Sequence, residues 1–398
     1  MQTGGSVSGH DIWPFDIAVR SIEGVVNLTA SSEAITHRLV WRAIQAVKHL
    51  AEKGEKVDVP ALFAGELGRQ REEHDALAKK RFFVLYPLFW KDRDPDELPR
   101  HVAPFRRRSW RTLRAFDLER YWNAAEYHGI KRADLEGLFA PFVATVDVRT
   151  AEEAWENTHR TLDLYRTTLN LQGTWGRVSR GFGPVRAAGA VFPPPFTGIF
   201  QSNGSLDCWY YEITPSNLRD TASISSAPRA ANAALQRIRK VRGELRPLVE
   251  DGFLMYGRAL DSIDQGEAFL GFWRVLELIT LQSDADIRMK EVVARTSVLV
   301  ERQPGFKDLV IALQRTRNLY VHHGRFDEER GRDNAQFMRS VVEVALGGLL
   351  DWSTRLRSKA ELRDLFEMAS QPPETLERRV KMAKHVLRRR SPGKGKQQ

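Results

Sequence analysis

From residue 233 to residue 357, apolar side chains recur every three or four positions in successive runs separated by short breaks. Leu248, Phe253, Tyr256, Leu260 and Ile263 form one stripe, and Phe269, Phe272, Trp273, Leu276 and Ile279 form the next. Met289, Val292, Val293, Thr296, Leu299 and Val300 make a third. Leu309, Leu313, Thr316 and Tyr320 follow, then a long run from Met338 to Leu356. This spacing puts the apolar residues on one side of a helix, and such a side must be buried against other helices. Short turns, such as Pro304-Gly305, make neighbours antiparallel. The spacing therefore predicts an antiparallel bundle of about five helices over 233–357, with two smaller helices at 358–370 and 373–390. No apolar run reaches membrane-spanning length, and Met1–Gly9 is polar and glycine-rich, unlike a signal peptide.

The first 216 residues have a different texture. Residues 11–29 read as one or two short strands. A helix opens at Ser31 or Ser32 and runs to about Lys53, and a charged helix covers about Ala64 to Lys80. FFVLYPLFW (82–90) suits a buried strand, although Pro87 argues against a central position in a sheet. Residues 92–104 read as a loop. Thr150-x-x-Glu153 is a capping box opening a helix to about Leu171. Asn203-Gly204 marks a hairpin turn ahead of a strand at Cys208–Ile213. Residues 217–232 are small and polar and read as a linker. The expected class is α+β, mainly α: a mixed α/β N-terminal domain (1–216), the linker, the helical bundle (233–357), and C-terminal helices with a basic tail (358–398).

The single cysteine, Cys208, excludes an internal disulfide framework and a cysteine-built zinc site, and points to a reducing, cytoplasmic setting. The net charge of +10 is unevenly spread. Residues 378–398 hold nine Lys and Arg and no Asp or Glu, which leaves +1 for the rest of the chain. Arg378, Arg379, Lys381, Lys384, Arg388, Arg389 and Arg390 head this arm. It reads either as a contact to nucleic-acid phosphates or as a solvated terminus. A second basic stretch at 105–122 interleaves Arg107, Arg108 and Arg111 with Trp110 and Phe116. It reads either as an RNA-facing patch or as an amphipathic helix with solvated arginines.

The chemistry concentrates in LQRTRNLYVHHGRF, residues 313–326. Arg317, Asn318, His322 and His323 fall within seven positions at the end of a helical stripe, with Gly324 as the stop. At about 100° per residue, Gln314, Asn318 and His322 line one face and Arg317 flanks it. A cation, an amide and an imidazole suit a phosphodiester. The same residues also suit plain helix capping. Adjacent histidines point apart on a helix, so His322 and His323 are not expected to bind a metal. One copy presents half a site, and a second copy across a two-fold axis would complete it.

Residues 233–357 resemble a HEPN domain, the helical fold of many RNA-cleaving defence and toxin proteins. Arg317-Asn318-Leu-Tyr-Val-His322 matches the R-(N/D/H)-x3-H pattern of that family, and AFLGFWRVLELI (268–279), with Glu277, is similar to the second helix of its Apea-like members. The resemblance implies a metal-independent endoribonuclease with no cofactor, active as a homodimer on RNA, in phage defence or as a toxin, under a trigger or regulatory partner protein. Arg317, Asn318 and His322 would be catalytic, with Glu277, Tyr320 and His323 in support. Glu277 would pair with Arg317, either within the site or as a structural ion pair. The alternatives are a non-catalytic HEPN module that binds RNA or a nucleotide or dimerises, and a helical adaptor whose N-terminal domain carries the function.

Overall fold

The structure is a computed structural model and describes residues 40, 42–46, 49, 59–90, 98–174, 191–211, 227–262, 264–281, 289–300, 305–323 and 328–390. The described residues are mainly helical, with one antiparallel sheet among them. It divides into two compact units, residues 1–162 with 194–213 and residues 163–193 with 214–398. The expected strands at 11–29, the Ser31/Ser32 cap and most of the linker lie outside the described residues. Residues 40, 42–46 and 49 are helical, within the helix expected to run to about Lys53.

The first unit opens with α1 (Val59–Ala76), then β1 (Lys80–Phe89), β2 (His101–Val102) and β3 (Phe105–Arg107). A 3-10 turn at Trp110–Leu113 leads to α2 (Leu118–Tyr127), α3 (Arg132–Leu138) and β4 (Phe139–Val148). α4 (Ala151–Thr174) follows, and the hairpin β5 (Phe196–Gln201) and β6 (Leu206–Tyr211) turns at Asn203-Gly204. The sheet order is β2-β3-β4-β1-β5-β6.

β1 is therefore central, against the expectation from Pro87. The register shows why. Pro87 faces Pro141 of β4, and β5 pairs only with Phe82–Leu85. Two opposed prolines have no N–H to exchange, so they fit a non-hydrogen-bonded pair, and on the other edge the ladder has already ended. The stretch 105–122 is not one helix. It is split between β3, the 3-10 turn and the start of α2, whose N-cap Asp117 accepts from the Arg120 N–H at 3.2 Å. The expected loop at 92–104 contains the short strand β2.

Aromatic rings fix both faces of the sheet. Tyr86 and Tyr210 stack on Trp155 of α4 at 6.4 and 4.7 Å. On the opposite face Tyr121 of α2 meets Phe196 at 5.1 Å and donates to its carbonyl at 3.0 Å. The capping box forms: Thr150 Oγ1 accepts from the Glu153 N–H at 3.3 Å. Glu153 in turn accepts from the Arg149 N–H at 2.6 Å and contacts His74 of α1 at 3.0 Å.

The second unit takes α4 from Asp163 onward and adds α5 (Ala227–Lys240), α6 (Leu245–Asp261), α7 (Gln265–Thr280), α8 (Met289–Leu299), α9 (Phe306–His323), α10 (Glu328–Ser353), α11 (Lys359–Ala369) and α12 (Pro373–Arg390). α5 begins inside the stretch read as a linker, where alanines favour a helix and Pro228 sits in the first turn. α7 packs on α6 and α10, while α8 and α9 pack on each other and on α10. Phe253, Tyr256, Phe269, Phe272, Trp273, Met338, Val341, Val342 and Leu349 are buried where the stripes meet. Gly348 lets α10 close on the end of α8: a Cβ there would lie 2.3 Å from the Leu299 carbonyl oxygen. Arg166 forms a two-point contact with Asp261 at 2.7 and 2.8 Å and also donates to the Val191 carbonyl at 3.2 Å.

Candidate functional site

The site grows from the last turns of α9. Its inner side is fixed by Val310 and Leu313, both buried, and by Tyr320. The Tyr320 ring is admitted by Gly266 in the first turn of α7, where a Cβ would lie 2.7 Å from the phenol oxygen. Burial and the nearby carboxylates of Glu267 and Asp264 push the Tyr320 hydroxyl above its ordinary range. Tyr320 thus anchors the helix end and stays protonated.

With Tyr320 inward, the solvent side follows from helix geometry. At about 100° per residue, Val321, Asn318, His322 and Leu319 span the opposite arc in that order. Their exposure agrees: Leu319 is 57% and Val321 48% exposed, His322 is exposed, and Asn318 is half-buried. Arg315 is exposed as well and lies on the same arc, about 20° from His322 two turns later. Arg315 was not singled out from the sequence; the signal that could have found it is its seven-residue separation from His322.

Arg317 lies at the border of the buried side. Its Nη2 is 3.7 Å from Oε1 of Glu277 on α7, and its Nη1 donates weakly to Asn318 Oδ1 at 3.5 Å. Glu277 is itself held by the Trp273 indole N–H at 2.8 Å. The Arg317 Nε is buried without a hydrogen-bond partner. A guanidinium has five N–H donors, and these two long contacts leave most of them available. The structure therefore brings Arg317, Asn318 and Glu277 together, with His322 on the adjoining exposed arc. The side chain of His323, and Gly324, lie outside the described residues.

The tentative RNA contacts are dispersed. Arg108 and Arg111 are exposed and Arg107 is half-buried. The aromatics between them are occupied by the fold. Trp110 donates to the Phe139 carbonyl at 3.1 Å and packs on Trp122, and Phe116 packs on Phe83 and Phe200. Trp110 and Phe116 are half-buried by this packing and are not free platforms for bases. Arg378, Arg379, Lys381 and Lys384 are exposed on α12, and the side chains of Arg388, Arg389 and Arg390 lie outside the described residues. Cys208 is no nucleophile: burial, with Asp207 and Glu152 nearby, pushes its thiol up to about 12.

Among the described residues no helix is long and apolar enough to cross a membrane. Comparison with protein families, characterised proteins and solved structures finds no match to any of them.

Proposed function

We propose that the chain is an endoribonuclease of HEPN type, which cuts RNA without a metal cofactor at a composite site formed by two copies of α9. What carries this reading is an exposed His322 one turn beyond Asn318, on the same helix as an arginine that is anchored by Glu277 but not consumed by it; the two lie about 140° apart round the helix, so one copy presents half a site. Exposed Leu319 and Val321 on either side of the Asn318–His322 face supply apolar surface for a second copy.

The chemistry follows from the side chains. One His322 takes the proton from a ribose 2′-hydroxyl, and that oxygen attacks the neighbouring phosphorus. The bond from phosphorus to the 5′-oxygen breaks, and the leaving oxygen takes a proton from the second imidazole. The products are a 2′,3′-cyclic phosphate and a 5′-hydroxyl. Proton transfer of this kind is worth about 10²–10⁴-fold. Arg317 holds the phosphate and offsets the charge that develops on its oxygens. Asn318 orients the pair, and Glu277 keeps the guanidinium at the edge of the arc.

The test is cleavage of end-labelled RNA by the full chain. His322→Ala should cut about 10²–10⁴-fold more slowly and Arg317→Ala should lose a comparable factor, with 2′,3′-cyclic phosphate ends in the residual product. Cutting by His322→Ala at the wild-type rate would sink the assignment. Salt-sensitive RNA binding with no cleavage by wild type would leave a non-catalytic binding module instead.

A further inference from the structure

Two chain segments far apart in sequence close an open groove of about 720 Å³ in the helical unit. One is the end of α5 and the turn after it, with Arg239, Lys240 and Arg242. The other is the end of α10 and the turn after it, with Ser353, Arg355 and Arg357. The turns are locked to each other. A Cβ on Gly243 would lie 3.2 Å from the Arg357 carbonyl oxygen, and the Lys359 N–H donates to Glu244 Oε1 at 2.8 Å.

Five cations line this groove with no carboxylate and no aromatic ring. Among the described residues none of the five is ion-paired, although the Arg355 guanidinium lies over the Trp352 ring at 5.7 Å. The nearby carboxylates have other tasks. Asp351 is engaged by Arg237, Glu361 accepts from the Arg357 N–H at 2.7 Å, and Glu244 accepts from Lys359. Two helix C-termini here supply roughly one negative charge between them. Five cations exceed that charge plus the two flanking glutamates by about two. Capping of helix ends therefore does not account for them.

The floor carries a second sign. Ser353 is 1% exposed, lines the groove, and its hydroxyl has no hydrogen-bond partner. A buried hydroxyl without a partner is destabilising unless something fills its valence.

We infer that this groove is an anion subsite that seats the sugar–phosphate backbone of an RNA strand, resting on the reading of the chain as a ribonuclease. Phosphate is the ligand chemistry that fits unpaired guanidinium groups and a lone hydroxyl donor. A free nucleotide is a poorer fit, because nucleotide pockets bury the base between apolar and aromatic walls, whereas this groove is open and is lined by one large apolar side chain, Leu356, and no aromatic ring. A strand passing over an open groove needs only its phosphates held.

The experiment measures binding of a fluorescent 2′-O-methyl RNA, which has no 2′-hydroxyl and so cannot be cut by this route. Binding and cleavage are then scored separately, and loss of one reading leaves the other measurable. Arg239→Gln/Arg242→Gln/Arg355→Gln in the full chain should bind at least about tenfold more weakly at low salt. The slope of log affinity against log salt should become shallower by about 2, at about 0.7 per phosphate contact on a single strand. Arg355→Gln alone, at an exposed position, should lower the slope by about 0.7 and serves if the triple variant does not fold. An unchanged slope with affinity within twofold of wild type overturns the subsite, as does a wild type that does not bind RNA. Inorganic tripolyphosphate is the second probe. If it binds wild type but not the triple variant, while RNA binding is unaltered, the groove takes a small polyphosphate and the RNA assignment falls.

Discussion

Two of the arginine–glutamate pairs in the helical unit differ sharply in their access to water. Arg339 and Glu343, a turn apart on α10, meet at 2.8 Å with each side chain 4% exposed. Tyr256 of α6 donates to the same carboxylate oxygen at 2.6 Å. Arg317 and Glu277, on separate helices, stand 3.7 Å apart and are 21% and 25% exposed. In the first pair burial opposes the arginine charge, but Tyr256 and Glu343 hold its pKa above the ordinary range. Burial likewise pushes the Tyr256 hydroxyl well above its usual value, with Glu343 adding to the effect. The sealed cluster has no access for a ligand. The loose pair holds its arginine at the surface with donors to spare. The same two residue types are thus structural in one place and available for chemistry in the other, and water access decides which.

Mutations can break this contrast. The largest effect on stability is expected at the sealed pair. Glu343→Ala leaves a buried guanidinium without its partner, which should cost about 3–5 kcal/mol, read as a fall in denaturation midpoint. A loss below 1 kcal/mol would show that the cluster is hydrated. Gly348→Ala drives a methyl into the Leu299 carbonyl and should cost about 1–3 kcal/mol by chemical denaturation. At the loose pair Glu277→Gln should change stability by no more than about 1 kcal/mol while lowering RNA cleavage, because Arg317 loses its tether. Equal losses in both would make Glu277 a structural residue only.

A pH test sharpens the contrast with the sheet unit. Burial opposes the Glu153 charge, but the Arg149 N–H, His74 and the Arg149 guanidinium hold its carboxyl below the ordinary 4.5. Because the folded value is below the unfolded one, its stabilisation is present above about pH 4.5 and is lost as pH falls through the folded value. Glu153→Gln should therefore be less stable than wild type at pH 6, by about 1–3 kcal/mol, and the gap should close towards pH 3. A gap independent of pH would refute the charge-based account. The smallest effect is expected at the basic groove, where Arg242→Gln should leave the melting temperature within error because the side chain is exposed.

Much of this was legible in the chain. The stripes fall on helices because a period near 3.6 has few other meanings, although Val300 and Leu356 lie past the ends of α8 and α10 and Ile263 lies outside the described residues; Thr150 and Asn203-Gly204 act locally and lie where they were expected. Two stretches misled for the same reason. FFVLYPLFW is central despite Pro87 because Pro141 happens to lie opposite, and the arginine run at 105–122 is broken because β3 pairs with β4. Both are facts of pairing, which no local pattern contains.

The sequence by itself determined the helices, their apolar sides, and the order Arg317, Asn318, His322 along α9. Those follow from interactions among residues close in the chain. Only the tertiary structure decided that Tyr320, already on the apolar stripe of α9, seats against Gly266 of α7, and that Glu277 lies 3.7 Å from Arg317. It also decided that 239–242 and 353–357 meet in one groove. These depend on which helices pack together and how closely, and that is set by burial summed over the whole core.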